Sequence, residues 1–227
     1  KNNLHEIQSY FCLIDLADKI KIKKIKNKKD KISFKGPFAK LVNKSNNSIL
    51  SLFTLLRRLG LISNFYSVTI VKNIPVFAGL GGGAANVATI LKYLFKRKIR
   101  RSLLNQVEDR VGSDLKLFFY NQGFMKNLGL ITNIKKKYKL FFLLIQPSVK
   151  CSTKEIYSRV KNYSKKKRLE KNRIKTQSKF ISYLSKNSND LQSIVEKKYP
   201  IIKELLINIG NEEGCYFSRM TGSGSVW

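Results

Sequence analysis

Histidine occurs once, as His5, and cysteine three times, at Cys12, Cys151 and Cys215, in a chain of 227 residues. The cysteines are far apart and odd in number. There is no Cys-x-x-Cys pair and no Cys/His cluster, so neither a zinc site nor a disulfide framework is supported, and a reducing compartment is the default. Long apolar runs are also missing. The longest candidates, Leu140–Ile145 and Ile49–Leu56, fall well short of the roughly 18 residues a spanning helix needs, and read as a buried strand and a buried helix. No secretory leader pattern and no internal repeat is visible. The chain does not begin with Met and stops at Trp227 in what reads as the start of a strand, so it is expected to be trimmed at both ends. Acidic residues are few as well, 14 against 45 Lys and Arg, giving a formal net charge of +31.

So large a charge could mark a nucleic-acid binder, because clustered Lys and Arg neutralise phosphates. Here the cations are mostly Lys and fall in loops and strand edges ("KIKIKKIKNKKDK", "NIKKKYK", "SKKKRLEKNRIK") with no aromatic platform between them. Lysines scattered over solvated faces by a Lys/Asn/Ile-rich composition are the preferred reading, and nucleic acid is not expected as a partner. A positive field would still attract an anionic small substrate. What the chain does have is a core: 43% hydrophobic and 11% aromatic residues suffice for one large domain or two small ones.

Residues 6–34 alternate apolar and polar, which predicts strands joined by the turn "KNKKD". Asn47 should cap a helix with Ile49, Leu52, Phe53 and Leu56 on one face, stopped by Gly60. "FYSVTIVK" (65–72) reads as a strand. A glycine loop follows, then a helix with Val87, Ile90, Leu91, Leu94 and Phe95 at 3–4 spacing. Another helix should start at Ser102, with Leu103, Leu104, Val107 and Val111 inward, and stop at Gly112. "KLFFYNQGFMKNLG" and "YKLFFLLIQP" read as strands around a turn, and Pro147 marks a domain boundary, giving domains 1–146 and 147–227. A basic surface excursion comes next. Helices are then expected from Phe180, from about Asp190, and from Pro200 with Ile201, Ile202, Leu205 and Leu206 inward. The end, "GCYFSRMTGSGSVW", reads as strand, glycine loop, strand. The fold class is α+β in two lobes.

"IPVFAGLGGGAANVATILKYL", residues 74–94, holds four glycines in five positions before a helix. A nucleotide P-loop would need Gly-Lys-Ser/Thr at the helix start, where this chain has Ala84-Ala85-Asn86. A dinucleotide fingerprint would need an acidic residue about 20 residues on, ending a second parallel strand, and "KRKIRRS" offers neither. The third mechanism is simpler: glycines let backbone N–H groups approach an anion while the helix points its positive end at it. The loop would hold phosphate without any side-chain charge.

"KNIPVFAGLGGGAANVATIL" resembles the ATP-binding motif of the galactokinase–homoserine kinase–mevalonate kinase–phosphomevalonate kinase (GHMP) superfamily, and in particular its branch acting on a cytidylated sugar alcohol. "LHEIQSYFCLIDLADKI", "SNNSI", "VGSDLKLFFYNQG", "QPSVKCSTKEIYSRV", "SNDL" and "RMTGSGSVW" resemble further segments of that branch, in family order. The resemblance implies a two-lobed GHMP-kinase fold, with a lobe like the second domain of ribosomal-protein S5 and a ferredoxin-like lobe. It implies transfer of the ATP γ-phosphoryl group to the 2-hydroxyl of a cytidine-diphosphate-linked methylerythritol in non-mevalonate isoprenoid synthesis. Asp114 would be the catalytic base. Pro75, Val76, Phe77, Ala78, Gly79, Leu80, Gly81, Gly82, Gly83, Ala84, Ala85 and Asn86 would hold ATP. His5, Thr153, Tyr157, Gly222 and Gly224 would contact the small-molecule substrate, His5 and Tyr157 at the cytosine ring. Mg2+ is implied by ATP, with no protein ligand assigned. The setting implied is a bacterial cytoplasm, with a plastid-type organelle as the alternative; oligomeric state is not legible.

Departures from the family pattern are specific. Ala84-Ala85 replaces a Ser-Ser pair, Leu4 replaces a tyrosine on the far side of the base, and Lys116 replaces a proline. The family's catalytic lysine would lie before Lys1. The competing readings are a degenerate nucleotide-binding relative without activity and a basic nucleic-acid-binding protein.

Overall fold

The computed structural model describes residues 8–96, 98–127, 130–134, 138–149, 151–165, 175–224 and 226–227. It divides into two compact units, Lys1–Val76 with Gly81–Lys135, and Phe77–Leu80 with Lys136–Trp227.

In the first unit the chain runs β1 (Ser9–Cys12), β2 (Lys19–Ile25), β3 (Lys31–Lys35), α1 (Ser48–Arg58), β4 (Phe65–Val71), α2 (Gly82–Leu94), α3 (Arg101–Val111), a 3-10 stretch over Ser113–Phe119, then β5 (Gln122–Asn127) and β6 (Leu130–Asn133). The turn at 26–30 does not close a hairpin. β4 enters between its two strands, antiparallel to β2 and parallel to β3. Side-chain chemistry explains the order. β4 is the strand that buries Tyr66, Val68 and Ile70, whereas β2 and β3 expose Lys19, Lys21, Lys23, Lys31 and Lys35 on the opposite side. Lysine-rich strands suit edges, where their charge discourages pairing with other chains. These five lysines are therefore spread over a solvated sheet face. The turn is pinned instead by Asp30. Its carboxylate accepts from the Tyr66 amide at 2.8 Å and from both terminal nitrogens of Arg57, at 2.7 and 2.9 Å.

Three helices pack on this sheet with the spacing read from the sequence. Asn47 caps α1 by accepting from the amides of Ile49 and Leu50, both at 3.1 Å. Ile49, Leu52, Phe53 and Leu56 face inward, and the Phe53 ring stacks on Tyr66 at 5.5 Å between centroids. Val87, Ile90 and Leu91 of α2 and Leu103 and Val107 of α3 complete the core. Each such side chain contributes about 1.5–3 kcal/mol on burial. α3 begins at Arg101, one residue before the expected Ser102, and ends at Gly112, whose φ of 122° few other residues tolerate.

The second unit holds α4 (Thr153–Ser158), α5 (Gln177–Ser185), α6 (Gln192–Lys198) and α7 (Pro200–Gly210). Cys151, Ile156, Leu191, Val195, Ile202, Leu206, Met220 and Trp227 form its core.

Several expectations need correction. Lys116–Phe119 is 3-10 helix, not strand. The segment 138–147 joins no strand ladder. It meets the chain end through reciprocal amide-to-carbonyl bonds between Ile145 and Trp227, both 3.0 Å, while Phe141 (83%) and Leu143 (75%) are exposed, so this apolar run is not the buried strand its composition suggested. The last residues likewise form turns and extended chain rather than two assigned strands. α4 was unforeseen. In α7 the inward stripe is Ile202 and Leu206, an i, i+4 pair, and Ile201 is 66% exposed.

Candidate active site

The loop leaves β4, turns at Pro75, and ends where Gly81 caps α2 in a left-handed conformation, φ 64°. The first helical bond runs from the Ala85 amide to the Gly81 carbonyl at 2.9 Å. No side chain caps this helix. Its first-turn amides therefore have no side-chain acceptor, and a helix N-terminus of this kind suits an anion.

Gly81 is backed by the 3-10 stretch. A Cβ at this position would lie 2.8 Å from Cζ of Phe118 and 3.7 Å from Oδ2 of Asp114. The absence of a side chain lets the Phe118 ring pack on the helix start, with the Asp114 carboxylate close by. Gly112 turns the chain so that Asp114 follows the end of α3 at once. Phe118 is held from below by Lys92, whose ammonium donates to its carbonyl at 2.6 Å. Lys116 pairs with Glu108 of α3. Asp114 keeps part of its surface open to solvent, yet the atoms crowded round its carboxyl push its pKa above the ordinary carboxylate value by desolvation.

Ala84 and Ala85 bring no hydroxyl, but Ser48 does. As the first residue of α1 it places Oγ 3.5 Å from where a Gly83 Cβ would be. No local pattern signals this, because Ser48 reaches the loop only through the packing of α1 beside α2. Asn86 is buried and its side-chain amide donates to Asp18 at 2.8 Å, so it serves the loop from behind. That pairing too is visible only in the fold.

Phe77–Leu80 belongs to the second unit. A Cβ at Gly79 would meet the carbonyl oxygens of Gly224 and Thr221 at 2.8 and 2.9 Å, and one at Gly222 would meet the Gly79 carbonyl at 3.3 Å. The two glycine loops therefore touch backbone to backbone. Asn189, in the "SNDL" stretch, donates to the carbonyls of Met220 and Gly222 at 3.0 and 2.8 Å and fixes the C-terminal loop. Thr153 joins it too, its hydroxyl 2.8 Å from that of Ser223. Tyr157 lies on α4, half-buried against the core of the second unit. His5 and Leu4 lie outside the described residues.

Phe77 has φ 62° and is 69% exposed. A bulky residue in this region costs about 1–2 kcal/mol, and little burial repays it. Phe77→Gly should therefore raise stability by about 1 kcal/mol, read as an upward shift of the thermal midpoint. An unchanged or lower midpoint would show that the ring is anchored.

Residues 47–113, which include α1, the glycine loop and the start of α2, match the GHMP kinases N terminal domain. The fold superposes on a crystal structure of 4-(cytidine 5'-diphospho)-2C-methyl-D-erythritol kinase with a TM-score of 0.64, over 100% of this chain and 81% of that one at 19% identity. For the Methanococcus jannaschii mevalonate kinase the TM-score is 0.58, over 96% and 81% at 18% identity. In sequence, the chain is 34% identical to the 4-diphosphocytidyl-2-C-methyl-D-erythritol kinase of Pelagibacter ubique over 99% of its own length and 80% of that protein's. It is 31% identical to the same kinase of Buchnera aphidicola over 97% and 75%. The chain belongs to the 4-diphosphocytidyl-2-C-methyl-D-erythritol kinase family.

Proposed function

We propose that this protein transfers the γ-phosphoryl group of ATP to the 2-hydroxyl of 4-diphosphocytidyl-2-C-methyl-D-erythritol, a step of non-mevalonate isoprenoid precursor synthesis. The observation that carries the reading is the approach of Asp114 to the N-terminus of α2 behind Gly81. One group suits removing or orienting a hydroxyl proton, the other suits holding a triphosphate, and an alcohol kinase needs both within a few ångströms.

Phosphoryl transfer depends mainly on positioning and on electrostatic stabilisation of the equatorial oxygens. In this chain Gly79 to Gly83 supply backbone amides and α2 its dipole, with the Ser48 hydroxyl at the edge of the loop. Asp114 accepts the proton of the attacking hydroxyl, and its raised pKa makes it a stronger base than an ordinary carboxylate. Thr153, Gly222 and Gly224 are assigned to the substrate side with Tyr157 and His5, the last two for the cytosine ring, where base–aromatic stacking contributes roughly 1–3 kcal/mol. Mg2+ is implied by ATP, and it is a cation commonly held by substrate phosphates with only one or two carboxylates. When bound it would neutralise charge on the β- and γ-phosphate oxygens.

No helix of the described residues is long and apolar enough to cross a membrane. Cys12, Cys151 and Cys215 are all free thiols, and we place the reaction in a bacterial cytoplasm, where thiols stay reduced. The test is to incubate the protein with ATP, Mg2+ and the cytidylated methylerythritol and to follow phosphorus resonances. A new phosphomonoester on the sugar alcohol together with stoichiometric ADP is expected. ATP binding without phosphate transfer would favour the inactive-relative reading instead.

A further inference from the structure

Behind the glycine loop lies a buried polar group that the chemistry described above does not use. Asp18, between β1 and β2, has a fully buried side chain, and that of Lys72 is 6% exposed. Oδ1 of Asp18 accepts from the amides of Asn73 and Ile74 at 2.8 and 2.9 Å. Oδ2 accepts from the Asn86 side chain at 2.8 Å and from the Lys72 ammonium. Asn73 in turn donates its side-chain amide to the Ala17 carbonyl at 3.0 Å. The ammonium sits directly under the start of α2, 3.3 Å from where a Gly82 Cβ would be.

One carboxylate thus grips both ends of the glycine loop: its entry, at 72–74, and its exit, through Asn86 on α2. Four donors use its two oxygens fully, the arrangement that makes a buried charge tolerable. Lys72 gains by it as well. An ammonium beneath a helix N-terminus is opposed by the dipole, and Asp18 cancels that opposition. The loop between the two grips has glycine at four of the five positions 79–83, so that part of its path has few side chains to define it and depends on where the ends are held.

We infer that Asp18 is a positioning residue for the nucleotide: with Lys72 and Asn86 it presets the loop amides at the spacing a triphosphate requires. This inference rests on the reading of the loop as the ATP site. It predicts a loss confined to the nucleotide. Asn86→Ala removes the link to α2 but keeps the ion pair. The double variant Asp18→Leu/Lys72→Met removes all the links at Asp18 without leaving a lone buried charge. Calorimetric titration with ATP and, separately, with the cytidylated methylerythritol reads the effect. ATP affinity should fall roughly 10- to 100-fold in the double variant and by a smaller factor in Asn86→Ala, with affinity for the sugar alcohol within two-fold of the unaltered protein. Unchanged ATP affinity in both variants overturns the inference. An equal loss for both ligands, including one through loss of the folded state, also overturns it and leaves Asp18 a structural residue. If the unaltered protein binds no ATP at all, the reading of the loop falls first and the inference with it.

Discussion

Asp114→Asn lowers kcat by roughly 10²- to 10⁴-fold, the range a positioned base contributes, while the KM for ATP changes little. The amide keeps the shape of the carboxylate and its place 3.7 Å from the Gly81 Cβ position, so the loop need not move; what goes is the ability to accept a proton. The pH dependence follows from the same environment. Desolvation raises the pKa of Asp114 above its ordinary value of 3.8, and only the ionised form can act as base. The acid limb of the kcat/KM profile should therefore lie above the pH at which an exposed carboxylate titrates, and it should disappear in the variant's residual activity. Stability moves the other way. A group whose folded pKa is raised holds its proton more tightly in the folded state. Its contribution is favourable below the unfolded pKa and is lost as pH rises through the folded value. At neutral pH the ionised carboxylate is thus a cost to the fold, and Asp114→Asn should melt slightly higher than the unaltered protein. Reduced turnover with a higher midpoint identifies a residue kept for chemistry. Reduced turnover with a lower midpoint would mean that Asp114 supports the 3-10 stretch and that the base lies elsewhere.

Much of this was legible in the residues, for identifiable reasons. α1 announces itself because cap, stripe and stop are all local: Asn47, then Ile49, Leu52, Phe53 and Leu56, then Gly60. The glycine loop is legible because its chemistry is backbone chemistry and needs consecutive residues. What escaped is non-local. The insertion of β4 between β2 and β3 depends on which strand buries both neighbours' apolar sides, and alternation alone gives each strand the same mark. The run at 140–145 looked buried because its side chains are apolar, but burial requires a covering partner, which no single-segment pattern reports. Ser48 and Asp18 reach the loop from distant positions. A serine opening a helix and an aspartate just before a strand each have a sufficient local explanation, so nothing in the sequence calls for another.

Gly79→Ala should weaken ATP binding by about 10²-fold, comparable to the cost of a 1 Å misplacement in a catalytic site, and lower the thermal midpoint by at least about 2–4 °C for each kcal/mol lost in a chain of this size. Two separate penalties act. The first is conformational: φ is 70°, where any side chain costs about 1–2 kcal/mol. The second is steric. The new methyl would stand 2.8 and 2.9 Å from two backbone carbonyl oxygens, those of Gly224 and Thr221, and backbone atoms cannot rotate aside as a side chain can. Relief requires one glycine loop to back away from the other, so the loop proposed to hold the nucleotide shifts. Gly60→Ala separates the two penalties. Its φ of 66° is nearly the same, but nothing lies within 4 Å of the added methyl, so it carries the conformational cost alone. It should lower the midpoint by a similar first increment and leave ATP affinity untouched. If Gly79→Ala matches Gly60→Ala in both readouts, the contact between the glycine loops does not set the path of the nucleotide loop. If only Gly79→Ala loses ATP, that contact shapes the site, and Gly222 and Gly224 act on the nucleotide side through Gly79, in addition to any contact they make with the sugar alcohol.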